Sequence, residues 1–126
     1  MVQALARRLA LAGATLYEDP FDILALIAAT GLLVEAKTLD GTDIDERERV
    51  RDALAQLLYY EPFAAAPVVG QAAIHKIACF ERPITADHRT WLNASGIGVM
   101  WMVGNGRFAG DQLAVRVLGP YLEELR

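Results

Sequence analysis

Apolar residues recur at helical intervals near the start of the chain and then give way to shorter, denser runs. Positions three and four apart predict a helix over residues 2–12, and Gly13 ends it. Residues 14–17 predict a short strand, and the polar stretch 18–20 predicts a turn after it. The chain therefore begins with a helix that leads into a strand.

Two nearly continuous apolar runs, residues 21–28 and 32–38, predict the next two strands. Both faces of the second run are apolar until Glu35, which is typical of a central strand. The residues from Ala28 to Gly31 connect the two runs. We expect a hairpin there, with Gly31 in a positive-φ conformation.

A long amphipathic helix is predicted from about residue 44 to residue 61, with Thr42 or Asp43 as its N-cap. Its expected buried stripe consists of Val50, Leu54, Leu57 and Leu58. Pro62 is expected to end this helix, and the small residues of 63–72 predict a loop. The helix is long enough to connect two parallel strands.

The rest of the chain alternates strands and helices. Residues 73–80 and 97–103 predict strands, and 85–93 and 111–125 predict helices, with a tight turn at Gly104-Asn105-Gly106. A strand reached through the long helix is expected to lie parallel to a strand of the preceding meander. The order predicts an α/β fold, a mixed β-sheet flanked by helices, as a single domain.

Composition supports one folded domain over residues 1–126. Hydrophobic residues make up 54% of the chain and charged residues 22%, which excludes a disordered chain. The net charge of −4 argues against strong, autonomous binding of nucleic acid. It is compatible with an enzyme that contacts phosphates through a metal ion. Cys79 is the single cysteine and fits a reducing, cytoplasmic setting, and neither a signal peptide nor a membrane span is predicted.

The candidate chemistry begins where the second apolar run ends. Glu35 and Lys37 are two positions apart on a predicted strand and so share one face, and the hairpin can bring Asp22 close to both. Two carboxylates, together with a backbone carbonyl such as that of Ala36, suit Mg²⁺ or Mn²⁺. A lysine on the same face can orient a water or stabilise charge on phosphorus, so this set suits metal-assisted phosphodiester hydrolysis.

The long helix carries a polar stripe beside its predicted buried stripe. Gln56 and Tyr60 are four residues apart, and Arg49 lies seven residues before Gln56, so all three share a face. Gln56 is a candidate for binding a metal-bound water or a phosphate. Arg49 and Tyr60 are candidates for binding the substrate backbone.

These residues together resemble a known family, the PD-(D/E)XK nuclease superfamily. The matching positions are Asp22, Glu35-Ala36-Lys37 and Gln56-Leu57-Leu58-Tyr59-Tyr60. The Gln-x-x-x-Tyr element is similar to that of RecB-like recombination nucleases, and the spacing from Asp22 to Glu35 is similar to that of archaeal junction resolvases. The resemblance covers roughly residues 2–80 and implies a restriction-endonuclease-like fold with an α-β-β-β-α-β core, followed here by an α-β-α extension.

The resemblance implies a Mg²⁺-dependent endonuclease or exonuclease that hydrolyses phosphodiester bonds in DNA, with Mn²⁺ able to substitute. Asp22, Glu35 and the Ala36 carbonyl would bind the metal, Lys37 would activate water or stabilise the transition state, and Gln56 would assist. One such site cuts one strand, so double-strand cleavage would require a homodimer or a partner subunit. The acidic charge balance and the high apolar content favour such an assembly.

The chain departs from the family pattern at two places. Phe21 separates Pro20 from Asp22, and the first helix has no acidic residue, where many members carry Glu or His; Glu18, after that helix, is the candidate replacement. One alternative is therefore a catalytically inactive relative that serves as a binding or assembly module in a nucleic-acid-processing complex. Another is an α/β interaction protein with an incidental acidic pair, in which the two carboxylates would be apart or separately solvated.

Overall fold

The computed structural model describes all 126 residues, and its centre is a six-stranded mixed β-sheet. The strands are β1 (Thr15–Tyr17), β2 (Ile23–Ile27), β3 (Thr30–Lys37), β4 (Ala73–Phe80), β5 (Ile97–Gly104) and β6 (Arg107–Gly110). The α-helices are α1 (Val2–Leu11), α2 (Asp43–Tyr60), α3 (Ala66–Val69), α4 (Ala86–Ala94) and α5 (Gln112–Leu118). A π-helical turn (Glu61–Ala65) joins α2 to α3, and a 3₁₀ turn (Glu123–Leu125) ends the chain.

The strands lie in the sheet in the same order as in the chain. The first three form an antiparallel meander, β3, β4 and β5 run parallel, and β6 returns antiparallel to β5. Each parallel pair needs a helical crossover, which α2 with α3 provides before β4 and α4 provides before β5. The predicted α/β fold with a mixed sheet is confirmed.

Two hydrophobic cores of 15 buried residues each lie on opposite faces of the sheet, so helices cover both faces. Strand β3 contributes to both cores because its side chains alternate: Leu32 and Val34 pack on the side of α1 and α5, and Leu33 packs on the side of α2 and α4. The prediction of a central strand is therefore correct. By the same alternation Glu35 and Lys37 extend toward the side of α2.

The β2–β3 hairpin turns earlier than the sequence predicts. Ile27 pairs with Thr30, so Ala28 and Ala29 form a two-residue turn, and Ala28 has a φ of 52°. Gly31 lies within β3, pairs with Leu26 and has no positive φ. The expectation that Gly31 makes the turn is wrong, because the pairing between the strands extends past it.

The helical path continues beyond Pro62, contrary to prediction. The segment predicted as a loop forms the π turn and α3, and the Ala66 N–H donates to the Glu61 carbonyl five residues back. Proline lacks the N–H of a regular helical turn, and the wider turn carries the chain past it. The Thr42 N-cap is confirmed, since its side chain accepts from the Asp45 N–H, but Leu58 is 43% exposed and not part of the buried stripe.

The C-terminal extension contains one strand more and a shorter helix than predicted. The turn at Gly104-Asn105-Gly106 is present and leads into β6. The last helix begins at Gln112 under an N-cap from Asp111, whose side chain accepts from the Ala114 N–H. It ends at Leu118, so the extension is α-β-β-α and not α-β-α.

Candidate functional site

The ladder between β2 and β3 opens at the predicted carboxylates. The last regular pair joins Ile23 and Val34. Beyond it the Asp22 N–H donates to Glu35 Oε1 at 3.1 Å, and the Ala36 N–H donates to Asp22 Oδ2 at 2.8 Å. Two hydrogen bonds from backbone N–H groups to carboxylates thus connect the strands here, and the two carboxylates lie side by side.

A turn before β2 explains why the strands separate there. The Phe21 carbonyl, which would continue the ladder, accepts instead from the Asp19 N–H at 2.9 Å. The Phe21 side chain is buried in the core on the α2 side of the sheet. With the Phe21 carbonyl turned away, the Ala36 N–H is left to the Asp22 carboxylate.

Glu35 is the one charged residue that is buried, with 2% of its surface exposed. Burial is the largest cause that raises its pKa to about 7, and a hydrogen bond to the Asp22 carboxylate and the negative charge of Asp22 add to it. The Asp22 N–H and the charge of Lys37 act in the opposite direction. Near neutral pH the pair therefore holds a proton for part of the time, and a cation beside it would displace that proton.

Lys37 is half-buried and follows Glu35 on the same face of β3. Four ion pairs lie within 4.0 Å in this structure, and none of them involves Lys37. Its ammonium group lies close enough to favour ionisation of Glu35. The fold therefore places the Lys37 ammonium near the carboxylate pair, and no ion pair neutralises its charge.

Helix α2 places Tyr60 near the carboxylates. The Tyr60 ring meets Phe21 edge to face, with centroids 6.3 Å apart. Burial and then the negative charges of Glu35, Asp22 and Asp19 raise the pKa of the Tyr60 hydroxyl above its usual value of 10. Tyr60 is thus on the side of the sheet to which Glu35 and Lys37 extend.

Gln56 and Arg49 differ in their polar contacts, since Gln56 has an unpartnered oxygen and Arg49 has an ion pair. Gln56 lies one turn before Tyr60, and its Oε1 atom is buried without a hydrogen-bond partner, which is costly unless a ligand or water completes it. Arg49 lies in the N-terminal half of α2 and pairs with Asp45 at 3.4 Å. The structure does not bring Arg49 to the carboxylate pair, and its role in substrate binding stays a prediction.

The donor set fits a divalent cation with few protein ligands. No group of three His, Cys, Asp or Glu side chains lies close enough to hold a metal ion, so protein ligation would rest on Asp22, Glu35 and a carbonyl. The N–H and C=O of a strand residue in a hydrogen-bonded pair point the same way. Because the Ala36 N–H points to Asp22, its carbonyl points into the same gap.

A cavity of about 270 Å³ opens beside Asp22 between α1 and the first two strands. Gln3 of α1 and Glu18 line it together with Asp22. Glu18 is the candidate replacement, predicted from the sequence, for the acidic residue that the first helix lacks. Gln3 was not predicted, although it is the one uncharged polar residue in that helix. The largest surface depression, about 650 Å³ around Arg8, contains none of the predicted site residues.

The comparisons with known proteins leave the family assignment untested. No protein-family model, no curated protein and no solved structure matches this chain. No helix has both the length and the apolar character that a membrane crossing requires. The motif and the geometry of the carboxylate pair are therefore the features of this chain that bear on its function.

Proposed function

We propose that this protein is a metal-dependent nuclease of the restriction-endonuclease-like class that hydrolyses phosphodiester bonds in DNA. One observation carries the proposal: Asp22 and a buried Glu35 lie side by side where the ladder between two inner strands ends, and each carboxylate accepts a backbone N–H of the neighbouring strand. Placing two carboxylates together in a buried site is unfavourable unless something compensates their charge. A divalent cation is the compensating group that oxygen ligands select.

Each polar group around the pair has a part in the proposed reaction. Asp22, Glu35 and the Ala36 carbonyl would hold Mg²⁺, which when bound lowers the pKa of a coordinated water and neutralises a phosphate oxygen. The Lys37 ammonium, free of an ion pair, stabilises the negative charge that grows on the phosphoryl oxygens. Gln56, one helical turn before Tyr60, would offer its unpartnered Oε1 atom as an acceptor for a proton of the attacking water.

The order of elements supports the same class. The sequence α1-β1-β2-β3-α2-β4 and the parallel β3–β4 pair agree with the α-β-β-β-α-β core that the resemblance implies. Asp22 lies at the start of β2, and Glu35 and Lys37 lie at the end of β3, so both parts of the motif meet at one end of the hairpin. The π turn at Pro62 lies in the connection between α2 and β4, and the β5–β6 hairpin follows the core.

A catalytically inactive binding module is the second candidate, and one observation favours it. Helix α1 faces the Asp22 cavity with Gln3, an amide, where an acid would add a third charged ligand. The incidental-pair alternative expects separately solvated carboxylates, whereas here Asp22 and Glu35 are in contact and Glu35 is buried. We therefore rank the inactive module above it.

The test is cleavage of plasmid and single-stranded DNA with Mg²⁺ or Mn²⁺. Lys37→Met keeps most of the side-chain length but removes the charge, and we expect it to lower the cleavage rate by roughly 100-fold or more. Arg107→Met, which removes an exposed cation from the edge strand β6, is the matched control and should cleave as the wild type does. Circular dichroism confirms that both variants are folded.

The same experiment separates the two candidates. Cleavage that Lys37→Met loses and Arg107→Met keeps supports the nuclease, and nicked rather than linear plasmid indicates that one site acts on one strand. A wild type that binds Mn²⁺ by calorimetry but cleaves no substrate supports the inactive module. A wild type that neither cleaves nor binds Mn²⁺ refutes the proposed metal site.

A further inference from the structure

A series of aromatic rings leads from the carboxylate pair to the surface. Phe21 directly precedes Asp22 and meets Tyr60; Tyr60 meets Tyr59 with centroids 6.1 Å apart, and Tyr59 meets Phe63 at 4.8 Å. The two outer rings are the exposed ones: 60% of Tyr59 and 68% of Phe63 is accessible. Two large, adjacent aromatic side chains that are exposed to water call for a functional explanation.

The helical backbone holds these two rings in place. Tyr59 belongs to the last turn of α2, and Phe63 belongs to the π turn that continues it into α3. Residues four apart are neighbours on a helix surface, and here the ring planes are inclined by 34° to each other. Short π-helical segments occur often at functional sites. The pair therefore offers apolar faces from a continuous helical segment and not from a loop.

We propose that Tyr59 and Phe63 form a stacking platform for the bases of a single-stranded nucleic acid that enters the carboxylate site. The inference rests on the proposed function, and it specifies the form of the substrate. The aromatic series supplies the connection, because a strand stacked on the two exposed rings lies next to Tyr60, and the Tyr60 ring contacts Phe21, the residue before Asp22.

The charge of the chain favours unpaired bases over duplex as the occupant. A duplex keeps its bases stacked inside and is held mainly through its phosphates, which requires a basic surface. This chain has a net charge of −4, and the exposed Arg51, two helical turns before Tyr59, has the exposed acids Glu48 and Asp52 beside it. Unpaired bases, unlike those inside a duplex, can stack on aromatic faces, and each stacked base adds affinity that does not depend on a phosphate contact.

Fluorescence anisotropy with a labelled 12-nucleotide dT strand, in EDTA to prevent cleavage, tests the platform. We expect Tyr59→Ala and Phe63→Ala each to weaken binding about 5- to 100-fold, since each removes one stacking face. Tyr59→Trp should retain binding because it keeps an aromatic face. Ile44→Ala, which truncates a 65% exposed apolar residue at the other end of α2, is the matched control and should bind normally.

An abasic strand of equal length and charge provides the decisive comparison. The proposal predicts that the wild type binds it at least as weakly as Tyr59→Ala binds dT, because an abasic strand loses stacking on both rings. Equal wild-type affinity for the dT and abasic strands, or an unchanged affinity in both alanine variants, overturns it. So does sedimentation that shows a wild-type dimer which Tyr59→Ala dissociates, because the rings would then serve contact between two copies of the chain.

Adding Mg²⁺ distinguishes failure of this inference from failure of the proposed function. A wild type that binds dT through the rings but cleaves nothing keeps the platform and refutes the nuclease. A wild type that cleaves single-stranded DNA with a KM unchanged by Tyr59→Ala and Phe63→Ala keeps the nuclease and refutes the platform.

Discussion

Replacing Glu35 by Gln is expected to stabilise the protein at high pH while it removes the proposed metal site. The pKa of Glu35 rises from 4.5 to about 7 on folding, mainly because of burial. A folded-state pKa above the unfolded one means that the native protein binds the extra proton, so stability falls as the pH rises through this interval. At 1.36 kcal/mol per pH unit the full loss is about 3 kcal/mol, and most of it falls between pH 5 and pH 8.

Urea denaturation at pH 5 and pH 8, without divalent ions, measures this difference. The free energy of unfolding of Glu35→Gln minus that of the wild type should rise by about 2–3 kcal/mol between the two pH values, because the amide cannot ionise. Glu48→Gln, at an exposed position of α2 without an ion pair, controls for the general effect of removing a carboxylate. Mg²⁺ should stabilise the wild type at pH 8 and leave Glu35→Gln unchanged.

Two results would refute this reasoning. If the difference between Glu35→Gln and the wild type were the same at both pH values, Glu35 would not be a buried group with a raised pKa. If Mg²⁺ stabilised Glu35→Gln as much as the wild type, the ion would bind elsewhere. Either result would remove the observation on which the proposed function rests.

Two further predictions concern packing and acid stability. Gly98→Ala should destabilise the fold by about 1–3 kcal/mol in urea, since its Cβ would lie 2.9 Å from Ile77 Cδ1 and 3.0 Å from the Ala114 backbone nitrogen; an unchanged midpoint would contradict this. The Arg8 hydrogen bond lowers the pKa of Glu124 to about 2, so this carboxylate contributes up to about 3 kcal/mol above pH 4.5 that is lost toward pH 2. Glu124→Gln should lack that acid-dependent loss in pH-dependent urea denaturation, and an acid transition like that of the wild type would contradict the assignment.

The sequence predicted the elements well where a local rule and the tertiary structure agree. Helix α2, strand β4 and the meander follow from hydrophobic periodicity and turn residues. Pro62 is an exception to the rule that proline ends a helix. It removes a regular helical hydrogen bond, but the hydrogen bonds of the π turn do not need its N–H, and the helical path continues. The early turn at Ala28 is set by strand pairing, which no local glycine rule contains.

The candidate site was predicted as a set of residues but not as a geometry. The spacing of Asp22, Glu35 and Lys37 placed them on neighbouring strands, and the structure brings the two carboxylates together. That the Asp22 carboxylate would replace a backbone acceptor depends on the turn of the Phe21 carbonyl toward Asp19. Such a turn is a property of the folded chain and not of residue spacing. Gln3 was missed for the same reason, because the cavity it lines exists only after α1 packs.

The agreement between strand order in the sheet and strand order in the chain has a consequence for synthesis on the ribosome. Each strand pairs with the one completed just before it, so the sheet can grow in one direction as the chain emerges. Residues 1–80 contain the first four strands and every proposed catalytic group, and they are complete before β5 exists. Until β5 pairs, the apolar end of β4, Ile77 to Phe80, is an open sheet edge. At that stage the nascent chain is most prone to aggregate through the open edge of β4. The C-terminal extension removes this risk when β5 pairs with β4.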